Sequence, residues 1–220
     1  MKLRRGKTKR TSAIDQAAVD SWVPKTSIGR AVKEKQITSL VDVLAKGKAL
    51  LEPEIVDFLV PNLKQETVEL SSTQRMTDSG RKSKYRAVVV VGDEESFISI
   101  GAGKADEVRP AIETAIKDAK INVIHTNLGC GSAECGCGTK HSLPIKITGH
   151  HGSVRVTLIP APRGTGIVAN KVVRKILQLA GIRDVWTRAE GRTRNRFNTA
   201  MAVVDAIDQL NQIRIKREWS

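Results

Sequence analysis

Aromatic side chains are nearly missing from this chain: tryptophan, tyrosine and phenylalanine make up 3% of its 220 residues. Any core must therefore rest on valine, isoleucine, leucine and alanine, and few rings are left to stack on single-stranded bases. Acidic residues are also short, 23 against 37 lysines and arginines, which leaves a formal net charge of +14. Long apolar runs are missing too. The longest, such as AVVVV at 87–91, are strand-sized and far short of a membrane span. There are only three cysteines, an odd number confined to one eight-residue window, which excludes a disulfide framework and points to a reduced, cytosolic setting. The opening MKLRRGKTKR carries six basic residues with no apolar stretch after it, unlike a secretory signal. No G-x-S-x-G, H-E-x-x-H or D-F-G element occurs, and no carboxylates pair at a distinctive spacing. The residues make no positive case for an enzyme.

What is present is a hydrophobic content of 40%, enough for folded cores in one large domain or two small ones. A pI near 10 asks for a polyanionic partner, with a membrane surface as the main rival and a merely solvated basic face as the plain reading. Basic clusters recur at the N-terminus, in mid-chain and near the C-terminus, which favours nucleic acid.

Periodicity divides the chain into four parts. Residues 1–51 read as a basic extension that orders on a partner. They hold one helical pattern over 37–51, with Leu40, Val41, Leu44 and Leu51 on one face, and punctuation at 27–29 and Gly47. Residues 52–120 read as an α-β-β-β-α unit: a short helix over 54–60, strands at 66–70, 85–91 and 97–100, and an amphipathic helix over 105–120. Val108, Ile112, Ala115, Ile116 and Ala119 mark the inner face of that helix. Residues 121–211 read as a second α/β unit. Its strands are expected at 121–126, 143–148, 154–159 and 182–187, and its helices at 168–180 and 198–210. HHG at 150–152 reads as a turn, and residues 212–220 as a basic tail. The class is α+β.

Four segments carry candidate chemistry. PRGTG at 162–166 puts Arg163, Gly164, Thr165 and Gly166 before a helix, and Arg188, Arg192, Arg194 and Arg196 follow. Glycines, backbone NH groups and guanidiniums in that order suit phosphate binding. SGRKSKY at 79–85 sets Ser79, Gly80, Arg81, Lys82 and Lys84 in a loop after Arg75; RNA contact and a solvated hairpin tip are its two readings. GAGK places Gly101, Gly103 and Lys104 as a turn into a helix, yet Ile98 and Ala105 stand where a nucleotide-binding phosphate loop needs Gly and Ser or Thr. Cys130-x4-Cys135-x-Cys137-x3-His141 offers four ligands at the stoichiometry of a structural zinc; the other reading is three reduced cysteines in a glycine-rich loop.

Two stretches, 79–120 (SGRKSKYRAVVVVGDEESFISIGAGKADEVRPAIETAIKDAK) and 158–207 (LIPAPRGTGIVANKVVRKILQLAGIRDVWTRAEGRTRNRFNTAMAVVDAI), closely resemble the signatures of the protein five family of the small ribosomal subunit. The resemblance covers about residues 52–210. It implies a first domain similar to a double-stranded-RNA-binding fold and a second α/β domain with a left-handed βαβ crossover. It also implies binding to small-subunit ribosomal RNA, a place beside the channel through which messenger RNA enters, and contact with ribosomal proteins four and eight. Roles in assembly, decoding accuracy and messenger unwinding come with it, in the cytoplasm and away from membranes. By the same resemblance, Ser79, Gly80, Arg81, Lys82 and Lys84 match the long-loop segment, and Gly101, Gly103, Lys104 and Glu107 the turn into the first helix. Gly164, Thr165, Gly166 and Arg174 match the face toward protein four. ESFI at 95–98 departs from the glycines of bacterial members, while the N-terminal extension and cysteine loop look like the archaeal and eukaryotic branch. The competing readings are a small-molecule kinase sharing the second-domain fold, which lacks its phosphate loop and base here, and a free-standing double-stranded-RNA-binding regulator.

Overall fold

The structure, a computed structural model, describes residues 22–213 apart from 46 and 48. The basic stretch up to residue 21 and the tail from 214 onward lie outside the described residues. The chain divides into two compact units, 1–62 and 63–220.

Among the described residues the first unit holds three short helices, α1 (Ser27–Lys33), α2 (Leu40–Ala45) and α3 (Glu54–Leu59). Residues 27–29, read from sequence as punctuation, are the first turn of α1. Thr26 caps it, its hydroxyl accepting from the Gly29 NH at 3.1 Å. The Glu52 carboxylate accepts from the NH groups of Lys25 and Thr26 at 2.9 and 2.6 Å. Burial tends to raise its pKa, but these hydrogen bonds outweigh that and hold it below the ordinary carboxylate value. The helix expected over 37–51 shrinks to α2. Within α2, Leu40 and Val43 are buried and Val41 is exposed, so its apolar face runs through i and i+3; beyond Gly47, Leu50 is buried outside the helix and Leu51 is exposed. Residues 22–51 thus contain ordered, buried side chains that the sequence reading did not give them.

The second unit carries two four-stranded sheets. The first has the order β1-β2-β3-β4, antiparallel throughout, from β1 (Lys64–Thr77), β2 (Gly80–Gly92), β3 (Phe97–Ala105) and β4 (Ile124–His125). The second has the order β5-β6-β8-β7, from β5 (Ile147–His151), β6 (Val154–Pro160), β7 (Ile167–Val168) and β8 (Val185–Gly191). Among the described residues only β7 and β8 pair in parallel, joined through α5 (Lys171–Leu179). Helix α4 (Val108–Ile121) lies on the first sheet and α6 (Arg196–Asn211) on the second.

The apolar run at 87–91 is buried on both faces of its sheet. Ala87, Val89 and Val91 meet Ala111, Ala115 and Ala119 of α4. Val88 and Val90 point the other way, into a cluster with Ile98, Ile100, Leu158, Ile176, Leu177, Val203 and Ile207. Double burial is what a continuous β-branched run without polar alternation is suited to. One core therefore carries residues from both sides of position 120, where the sequence reading set a domain boundary. Residues 124–125, assigned from sequence to the second unit, pair with β3 in the first sheet. The turn between β2 and β3 is closed by Asp93, whose Oδ1 accepts from the NH groups of Glu95, Ser96 and Phe97. Glu94 NH then donates to the Leu179 carbonyl at the end of α5 (3.0 Å), and Lys175 of α5 pairs with Glu66 of β1.

His125 sits at the β4 edge with its ring against Phe97, centroids 5.5 Å apart. Burial lowers its pKa below the ordinary 6.5, over smaller opposing effects of Asn127 and Asp93. The unfolded chain therefore takes up a proton, from about pH 6.5 downward, that the folded protein resists. Stability is expected to fall as pH drops through that window, the loss ending below the folded pKa. Urea titrations of wild type and His125→Phe between about pH 7 and 5.5 check this, with the variant showing the flatter profile.

Candidate nucleic-acid interface and thiol–histidine cluster

Residues 79–85 are not a loop. β1 and β2 stay paired from Lys64↔Gly92 to Thr77↔Gly80, so the turn is only Asp78 and Ser79, with Gly80 at φ 125°. The polar residues of 71–77 satisfy their backbone in the ladder, and Thr73 and Thr77 are β-branched residues that suit a strand. Because β3 pairs β2 only from Tyr85 onward, the outer part is a two-stranded ribbon. Arg75 stands directly opposite Lys82 across it, Met76 opposite Arg81, and all four are exposed. Lys84, farther back, pairs weakly with Asp106 at 3.8 Å.

Gly101 and Gly103 do not form a turn into a helix either; both lie inside β3, facing α4. A Cβ on Gly101 would stand 2.1 Å from the Ala115 carbonyl oxygen, and one on Gly103 would stand 2.3 Å from that of Ala111. These glycines let a helix backbone rest on the strand. They are not a phosphate cradle. Lys104 points to the opposite face, exposed, and is in register with Arg86.

Arg192 and Arg194 occupy the turn from β8 into α6, and Arg196 is the first residue of α6; all three are exposed. Asn195 caps the helix, accepting from Asn198 NH. The Thr199 hydroxyl donates within the same turn, its oxygen lying 3.2 Å from the Thr193 carbonyl and 2.9 Å from that of Asn195. Phe197 is not open to a base: the Arg86 guanidinium sits 4.4 Å from its ring centre and His151 meets it edge-on at 6.0 Å. Arg188 is partly neutralised by Glu190, 2.8 Å away on its own strand. His150 and His151, read as a turn, belong to β5; the turn is Gly152 and Ser153.

The glycine loop at 162–166 departs most from the sequence reading. It leads into β7 and only then, through the Asn170 cap, into α5. Its free NH groups are already taken: those of Gly164 (φ 94°) and Gly166 (φ 72°) donate to Asp184 Oδ1 at 3.0 and 2.8 Å. An internal carboxylate fills the role foreseen for phosphate. Arg163 and Gly164 remain exposed, while Thr165, Gly166 and Arg174 line an open groove of about 890 Å³ with Glu66 and Glu94.

The other oxygen of Asp184 reaches the cysteine segment. Cys130, Cys135, Cys137 and His141 come together with their sulfur and ring-nitrogen atoms all within 4.8 Å of one another. The loop is closed at its base by a bridge between Gly129 and Ser142, and His141 Nδ1 lies 2.9 Å from Asp184 Oδ2. Arg183 and Asp184 donate their NH groups to the His141 carbonyl, and Ser142 Oγ donates to that of Asp184. Burial, then hydrogen bonding to Cys137 and Cys135, pushes the Cys130 thiol up to about 11; the hydrogen bonds of Thr139 bring Cys137 down to about 6.

Two family descriptions match the chain: Ribosomal protein S5, N-terminal domain, over residues 63–127, and Ribosomal protein S5, C-terminal domain, over 149–218. Small ribosomal subunit protein uS5 of Staphylothermus marinus is 45% identical over 94% of this chain and 97% of its own length. The proteins of the same name from Methanococcus maripaludis and Methanocaldococcus jannaschii are 49% and 50% identical, covering 89% and 88% of this chain and 87% and 89% of their own. The chain belongs to the ribosomal protein S5 family. That is a family of structural, non-enzymatic ribosomal proteins, and its α+β fold is the one described above. Among the described residues no helix is long and apolar enough to cross a membrane.

Residues 128–148, which hold the thiol–histidine cluster, fall between the two matched S5 segments. Sequence reasoning named the four ligand-type residues but missed Asp184, Ser142 and Arg86. Their partners are 43, 42 and 111 positions away along the chain, and no short motif carries such a pairing.

Proposed function

We propose that this chain is a structural component of the small ribosomal subunit in the cytoplasm, holding ribosomal RNA chiefly by its phosphates. The contacts run from the β1–β2 ribbon (Arg75, Arg81, Lys82), with Lys84 and Lys104 behind it, and from the arginine turn (Arg192, Arg194, Arg196). Arg163 and Arg188 add to the same surface. The ribbon lies beside the channel through which messenger RNA enters. From there the protein supports assembly, decoding accuracy and messenger unwinding. Gly166 and Arg174 face ribosomal protein four, with protein eight as a further neighbour.

The observation that carries this reading is Arg75 directly opposite Lys82 on an exposed ribbon. Like charges in directly opposed positions destabilise a strand pair on its own. A phosphate between them turns that repulsion into two charge-assisted hydrogen bonds. Neutralising Arg75, Arg81 and Lys82 to glutamine is expected to lower incorporation into small subunits. It should also reduce the slope of log K against log salt by about 2–3 in binding to small-subunit RNA. Unchanged incorporation and slope, with the fold verified by circular dichroism, would reject the ribbon as an RNA contact. A strand-displacement assay on assembled subunits tests the unwinding role with the same variant.

A further inference from the structure

We propose that Cys130, Cys135, Cys137 and His141 hold one structural zinc ion, and that Asp184 links this centre to the glycine loop at 162–166. The four ligands carry no role in the RNA reading, and the two meet only at Arg163, which the loop at 162–166 presents.

The spacing of the four donor atoms fits the ion. In a tetrahedral site with bonds of about 2.0–2.3 Å, neighbouring ligand atoms stand roughly 3.5–3.8 Å apart. Cys130 Sγ and Cys137 Sγ are 3.6 Å apart, and Cys135 Sγ and His141 Nε2 are 3.7 Å apart. The sulfur pair is well beyond the ~2.05 Å of a disulfide, so the three cysteines are free thiols. Four protein ligands close the coordination shell, which makes the site structural and leaves no open position for catalysis.

The histidine is oriented for the role. Its Nδ1–H donates to Asp184 Oδ2 at 2.9 Å, so the Nε2 lone pair is the one that faces the sulfurs. A carboxylate behind a ligating imidazole fixes its tautomer and raises its basicity. The loop also needs an internal tie. Between Cys130 and His141 its only apolar residue other than cysteine is Ala133, which is exposed, and it has no helix or strand of its own. Twelve such residues do not order themselves by burial.

Asp184 extends the consequence. Its Oδ2 holds the histidine and its Oδ1 holds Gly164 NH and Gly166 NH, so one carboxylate spans the centre and the turn that presents Arg163. Zinc at the centre fixes the imidazole, the imidazole fixes the carboxylate, and the carboxylate fixes the turn.

The test uses the full-length protein purified under reducing conditions. Elemental analysis is expected to find about one zinc per chain, and exchange with cobalt to give the visible bands of a tetrahedral thiolate site. Cys137→Ser should lose the metal, and Asp184→Asn should keep the ligands yet bind zinc about 10–100-fold more weakly. Hydrogen exchange should show loss of protection at Gly164 and Gly166, both when zinc is chelated from the wild type and in Asp184→Asn, while β6 and α6 stay protected. Failure to take up zinc on reconstitution of reduced wild-type protein, or an iron–sulfur spectrum in its place, overturns the centre. Zinc bound with unaltered exchange at the two glycines after chelation overturns the link. The wild-type measurements stand even if Cys137→Ser does not fold.

Discussion

Gly103→Ala is expected to destabilise the protein by about 3 kcal/mol, the upper end of the cost of overfilling a packed core. The added Cβ would lie 2.3 Å from the Ala111 carbonyl oxygen and 2.5 Å from the Ala115 nitrogen, both in the backbone of α4. No rotamer change can relieve such a contact, because the colliding atoms belong to a helix. α4 must lift as a body, and its fully buried alanines then lose contact with Ala87, Val89 and Val91. Gly101→Ala meets Ala115 and Ala119 in the same way and should cost a similar amount. Lys104→Ala, one position away on the exposed face, is expected to stay within about 0.5 kcal/mol of wild type. Urea midpoints of the three variants check this, with the slope of the transition unchanged. If instead the glycines served a ligand, Gly103→Ala would leave the midpoint in place and weaken RNA binding. That result would falsify the packing account.

These glycines also show where a one-dimensional reading stops. A glycine pair with a lysine before a helix looks the same whether it shapes a turn or admits a helix onto a strand. Only the alanines at 111, 115 and 119, spaced four apart on the facing helix, distinguish the two; the periodicity puts Ala115 and Ala119 on that face beside Val108, Ile112 and Ile116 and leaves out Ala111. The strand at 85–91 was legible because five β-branched or small apolar residues in a row have few other uses. The missing alternation in this run fits its burial on both faces; which elements cover each face, α4 on one side and the cluster around Ile176 and Val203 on the other, is what the run itself does not carry. The ribbon's polar residues read as a loop, although a ladder partner satisfies polar strands as well as apolar ones. The four metal-type ligands were legible within twelve residues. Asp184 was not, since what gives it meaning is a fold that carries β8 back beside residue 141.

Replacing Arg192, Arg194 and Arg196 together by glutamine is expected to lower the slope of log K against log salt by about 2–3, weakening binding on the order of a hundredfold at about 0.15 M salt. The three side chains are exposed on a turn fixed by the Asn195 cap and the Thr199 hydroxyl, so their loss removes charge without removing packing. Stability should hold or rise slightly. Arg196 opens α6, where the helix dipole repels a cation by about 0.3–1 kcal/mol, and glutamine relieves it. A residue that is unfavourable for the isolated helix and favourable toward an anion points to a polyanion at this turn, as the Arg75–Lys82 pair does on the ribbon. Base stacking is not the alternative source of affinity here. Phe197, the nearby ring, is covered by Arg86 and His151, so binding should vary little with base sequence. Filter binding to small-subunit RNA across a salt series, with thermal unfolding run in parallel, separates the outcomes. A variant that keeps its fold, its affinity and its slope would reduce the arginine turn to a solvated face and leave the ribbon as the principal phosphate contact.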